Sequence, residues 1–82
     1  MKLVGIKKSD FTVKEGPDKG KEIHGYNLYG AYDITKDGEG VAVERVYLTT
    51  DKLRSCGFKP VLGMAFHVTY NRFGKPAEVI AD

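Results

Sequence analysis

Phe66-His67-Val68-Thr69-Tyr70-Asn71-Arg72-Phe73-Gly74-Lys75-Pro76-Ala77-Glu78-Val79-Ile80 decides how the rest of this chain is read. Apolar residues alternate through Met64, Phe66, Val68 and Tyr70, which is the two-residue period of a strand with one buried face. Asn71 and Gly74 then supply turn chemistry, and Ala77, Val79 and Ile80 form a second apolar run. The stretch predicts a closing β-hairpin, with strands near 64–71 and 75–81.

Working outward from that hairpin, Lys59-Pro60-Val61-Leu62-Gly63 reads as a connector. Thr49-Thr50-Asp51-Lys52-Leu53-Arg54-Ser55-Cys56-Gly57 predicts one or two helical turns, capped at the start by a Thr or Asp and stopped by Gly57. Val41 to Leu48 is dense in β-formers and predicts a third strand. Asp33 to Gly40, with Lys36-Asp37-Gly38 at its tip, is a hairpin loop that joins it to a second strand over 22–33. Gly25 and Gly30 inside that second strand fit a sharply coiled or bulged path. A loop over 14–21 precedes it, and residues 2–13 predict a first strand with Leu3, Val4, Ile6, Phe11 and Val13 as its apolar content.

The order is therefore β-β-β-α-β-β in one domain over residues 1–82. It predicts a mainly β protein: a five-stranded barrel of the oligonucleotide/oligosaccharide-binding (OB) kind, with one short helix between strands three and four. An SH3-like barrel and an α+β roll are the competing arrangements. One-sided burial places Val4 or Leu3, Leu28, Val46, Phe66, Val68 and Val79 in the core. Phe11 and Tyr70 are expected to help fill it.

Composition narrows the function classes. At 82 residues the chain supports one modest core. Its lone cysteine, Cys56, excludes an intramolecular disulfide and a multi-cysteine zinc site, and is expected to pack as a small apolar residue. No apolar run approaches the roughly 20 residues needed to span a bilayer, and a cytoplasmic, membrane-free protein is expected. Net charge is +2, but its distribution is uneven. Lys52 to Lys75 holds five basic residues and no acid, whereas Asp33 to Glu44 holds four acids against Lys36.

Catalysis has little support. His24 and His67 lie on different predicted strands, and no spacing brings a serine or Cys56 beside either one, so no enzyme, metal or cofactor is expected. Gly16-Pro17-Asp18-Lys19-Gly20-Lys21 lacks the spacing and the Ser or Thr of a phosphate-binding loop. The aromatic residues are the better candidates. Single strands are held by rings that stack on bases and by cations that follow phosphates. Arg45 and Tyr47 are two apart and share a strand face, on which Tyr29 is also expected. Arg72, Phe73 and Lys75 place a cation–aromatic tip on the last turn. These six residues are the predicted nucleic-acid face.

In size and strand order the chain resembles the small OB-fold single-stranded-DNA-binding proteins of phages and mobile elements, the filamentous-phage type in particular. The likeness lies in Lys19-Gly20-Lys21-Glu22-Ile23, leading into the tyrosine-bearing second strand, and in Tyr70-Asn71-Arg72-Phe73-Gly74-Lys75. It is similar also to short uncharacterised proteins of Gram-positive phages and integrative elements, through Gly25-Tyr26-Asn27-Leu28-Tyr29 and the same Tyr70–Lys75 pattern. The resemblance implies non-sequence-specific binding of single-stranded DNA or RNA in phage, plasmid or mobile-element replication, by a homodimer. The alternative expectation is a non-catalytic protein-interaction or assembly module of such an element.

Overall fold

A computed structural model describes residues 1–82. It is mainly β, with strands β1 (Lys2–Thr12), β2 (Glu22–Asp33) and β3 (Val41–Thr49), helix α1 (Thr50–Ser55), and strands β4 (Phe66–Tyr70) and β5 (Pro76–Ala81). The predicted element order is the observed one. β1, β2 and β3 form an antiparallel sheet in that order, and β4 pairs with β5 antiparallel in a second, two-stranded sheet.

The two sheets are joined at the start of β1. The Met1 ammonium donates to the Phe66 carbonyl at 2.7 Å, and Phe66 N–H returns a bond to the Met1 carbonyl at 2.8 Å. Leu3 N–H donates to Met64, and Gly63 N–H donates to Leu3, both at 2.8 Å. No such ladder connects β3 to β5. The expected closed barrel is therefore corrected to two sheets that are open along one side. Two local features work against closure there. β5 is only six residues long and begins with Pro76, which has no N–H to give, and a register shift between Thr69 and Tyr70 interrupts the pairing of its hairpin. The one side-chain hydrogen bond across the opening runs from the Tyr70 hydroxyl to Glu44, at 3.0 Å.

Eight apolar side chains form the core: Leu3, Leu28, Val46, Leu48, Leu53, Phe58, Phe66 and Val79. Five of the expected core positions are among them, and Val68 is half-buried against them. The choice between Leu3 and Val4 is settled by a β-bulge between Leu3 and Gly5, which sends Leu3 inward and leaves Val4 48% exposed. Phe11 and Tyr70 are corrections, at 49% and 47% exposed. Phe11 lies beyond the bulge, where the inward parity of β1 has switched. Tyr70 lies beyond the Thr69/Tyr70 shift, where its hydroxyl turns to Glu44.

α1 closes one end of the core. The Thr49 hydroxyl caps it by accepting Lys52 N–H at 3.1 Å. Gly57 ends it with φ +64, the left-handed conformation that a Cβ disfavours. Gly57 N–H then reaches Arg54 and Phe58 N–H reaches Leu53, both at 3.0 Å, the paired bonds of a Schellman stop. That stop seats Leu53 and Phe58 together in the core, with the Phe58 ring tilted on Phe66 at 5.9 Å. Cys56 is free and half-buried against the same cluster. Beyond the core the β1–β2 pair runs on as an arm, and the molecule measures 44 × 26 × 23 Å.

Candidate nucleic-acid interface

The register of the three-stranded sheet sorts its residues onto two faces. Leu28 and Val46 point to the core and are partners, as are Tyr26 and Leu48. Alternation sends their neighbours the other way. The outer face therefore carries Lys7, Ser9 and Phe11 from β1, Ile23, Asn27 and Tyr29 from β2, and Val43, Arg45 and Tyr47 from β3. The carboxylates of Asp10, Glu22 and Glu44 fall on the opposite register, and on the outer face Asp33 stands only at the far end of β2.

Tyr29, Arg45 and Tyr47 share this face: the two-residue spacing puts Arg45 with Tyr47, and the β2–β3 register adds Tyr29. Tyr29 and Arg45 are direct cross-strand partners, and Tyr47 faces Asn27 in the same ladder. Both tyrosines lie across glycines of a neighbouring strand. A Cβ at Gly5 would sit 3.1 Å from the Tyr29 ring, and one at Gly25 would sit 2.7 Å from Tyr47 Cζ. The Tyr47 hydroxyl crosses β2 to donate to the Ser9 carbonyl of β1 at 3.2 Å. Burial, and then the nearby Asp10 carboxylate, push the Tyr47 phenol above its usual pKa. It is therefore a fixed, neutral ring at physiological pH.

Phe11 is the outer-face residue that sequence reasoning missed. Its ring packs on Tyr47 with centroids 5.9 Å apart and a 53° tilt. Lys7 was missed with it. The spacing carries a trace of it: Leu3 and Ile6 are three apart, so they can share one face of β1 only if a residue between them is inserted.

Arg72, Phe73 and Lys75 form a second patch. The Asn71 side chain accepts the N–H groups of both Phe73 and Lys75, at 2.9 and 3.1 Å, and Gly74 takes φ +77. This tight turn leaves Phe73 72% exposed, with the Arg72 guanidinium 4.9 Å above its ring. No hydrogen bond, ion pair or ring contact links these three residues to Tyr29, Arg45 or Tyr47. The six predicted residues thus form two patches.

The histidines are held by carboxylates on exposed positions. His24 lies 3.2 Å from Asp10 and 3.5 Å from Glu22, and His67 meets Asp82. Partial desolvation works to raise the Asp10 pKa, but the His24 hydrogen bond, the Lys8 and His24 charges and the Gly25 N–H outweigh it and hold the carboxyl below its usual value. Neither histidine has a serine or cysteine as hydrogen-bond partner. No helix is long and apolar enough to cross a membrane.

Geometry thus defines a mainly β protein of two joined sheets with an aromatic, cationic outer face. No protein-family model, curated protein or solved structure matches the chain.

Proposed function

We propose that this protein is an OB-type domain that binds single-stranded nucleic acid without sequence specificity, in phage, plasmid or mobile-element replication. The carrying observation is the sorting of the three-stranded sheet. Three aromatic rings and the cations Lys7 and Arg45 share its outer face, while Asp10, Glu22 and Glu44 are turned away. Bases stack on such rings whatever their identity, and cations release counterions from phosphates. The helix between β3 and β4 and the bonding of the start of β1 to residues 63–66 support an OB-type path, with the side between β3 and β5 left open. The Arg72–Lys75 turn would serve as a second contact. The protein is proposed to work in the cytoplasm, as a homodimer that covers an unpaired strand edge.

The test is an oligo(dT) titration at two salt concentrations. Tyr47→Ala and Phe73→Ala are each expected to weaken binding about 5- to 150-fold, the equivalent of about 1–3 kcal/mol per stacked base. Arg72→Ala should weaken it less and flatten the salt dependence. Absence of wild-type binding at low salt would overturn the proposal. The second reading, a protein-interaction module, is favoured by the unpaired outer edges of β3 and β5, which suit an added strand. Such a module would ignore oligonucleotides.

A further inference from the structure

The outer face does not stop at its aromatic pair. Ile23 is the ladder partner of Phe11, and Thr49 is the partner of Gly25, the glycine under Tyr47. Both residues also line a hollow of about 430 Å³ between the start of β2 and the start of α1. The hollow therefore begins where the Phe11–Tyr47 pair ends.

Its lining is polar. Lys21 and Arg54 bring cations, Thr49 and Thr50 bring hydroxyls, and His24, whose two ring nitrogens face Asp10 and Glu22, lines one side. Glu22 and Asp51 line it as well. Glu22 lies 3.5 Å from His24, and Asp51, 94% exposed, leans loosely on Arg54 from 3.7 Å, so Lys21 is the lining cation that no carboxylate pairs. The Thr49 oxygen accepts Lys52 N–H, which leaves its hydroxyl proton to donate.

We propose that this hollow takes one backbone phosphate of a bound single strand, between Lys21 and Arg54, while the adjoining base stacks on the Phe11–Tyr47 pair. This rests on the nucleic-acid reading above and extends the path beyond β2 and β3 to the mouth of the hollow. Phe11 becomes a base-stacking residue, and Lys21 and Arg54 become phosphate ligands, a role none of the six sequence-predicted residues fills at this end.

The experiment is an oligo(dT) titration at a series of salt concentrations with the wild type, Lys21→Ala/Arg54→Ala, Phe11→Leu and a control, Lys36→Ala/Lys59→Ala. The control removes the same charge away from the hollow, and circular dichroism checks each fold. Lys21→Ala/Arg54→Ala should lower the slope of log affinity against log salt by about 0.7, the value for one phosphate on a single strand. The control should leave the slope near that of the wild type. Phe11→Leu should weaken binding about 5- to 150-fold with the slope unchanged. A Lys21→Ala/Arg54→Ala slope equal to that of the wild type, or equal to that of a control that has itself fallen, would overturn the phosphate site while leaving the face intact. A wild type that does not bind would overturn the face and the hollow together.

Discussion

Gly25→Ala tests how the outer face is built. A Cβ at Gly25 would lie 2.6 Å from the Leu48 carbonyl oxygen and 2.7 Å from Tyr47 Cζ. The first obstacle is backbone, fixed in the ladder between β2 and β3. The second is a ring tethered to Ser9. Overpacking of this kind costs about 1–3 kcal/mol. Displacing the ring also forfeits the Tyr47–Ser9 bond, about 0.5–1.5 kcal/mol. The expected loss is about 2–4 kcal/mol, or about 10–30 °C in Tm for a domain of this size. Gly30→Ala is the internal comparison. Its Cβ would meet Met1 Sδ at 2.8 Å, Met1 Cβ at 3.0 Å and Phe66 Cζ at 3.1 Å, none of them backbone and none as close as the contacts at Gly25, so its cost should be smaller. Urea unfolding of both variants, and of Gly25→Ala in a Tyr47→Leu background, separates the ring from the carbonyl. A Gly25→Ala loss under about 0.5 kcal/mol, or a larger loss from Gly30→Ala, would refute the close-approach argument.

Thr49→Ala removes the helix cap and should cost about 0.5–2 kcal/mol in urea unfolding, with an unchanged m-value. Leu53→Ala empties the helix contribution to the core and should cost about 2–5 kcal/mol by the same measurement. For Asp10, a folded pKa below the unfolded value of about 3.9 means that its stabilisation is present above that pH and is lost as pH falls through the folded value. Amide protection factors at residues 9–12 and 22–25 should therefore fall in that acid range, and a carboxyl titrating above about 3.9 by NMR would count against it. Light scattering should return a dimer that dissociates on dilution, whereas a monomer at every concentration would remove the edge-pairing proposal.

The hairpin over residues 66–81 was legible because its turn chemistry is local. Asn71 and Gly74 fix the reversal whatever packs against it, and the alternation through Phe66 and Val68 fixes which side is buried until the register shift at Tyr70. The helix was legible for the same reason, from the Thr-Thr-Asp run at its start and Gly57 at its end, and the structure picks Thr49 as the cap. Phe11 was misread because face assignment along β1 depends on one inserted residue. Val4 at the bulge reverses the parity of everything after it, and a simple count of apolar residues does not register that reversal. Barrel closure was not legible at all. It depends on whether β3 and β5 meet, a long-range property of twist, strand length and Pro76. Tyr29, Arg45 and Tyr47 fell on one face because β2 and β3 keep an unshifted register throughout.

The junction of Met1 and Leu3 with residues 63–66 also carries a kinetic consequence. β1, β2 and β3 are successive hairpin partners and can zip together through short loops. The docking of the last hairpin must instead close a loop of most of the chain, with 65 residues separating Met1 from Phe66. Until it closes, Leu28 and Val46 have no cover from Phe66 or Val79. A nascent chain that has emerged only as far as α1 is therefore expected to hold a formed but adhesive three-stranded sheet. The rate-limiting event of folding should be the capture of residues 63–66 by the first three residues, slowed by substitutions at that junction and insensitive to those in the Arg72–Lys75 turn.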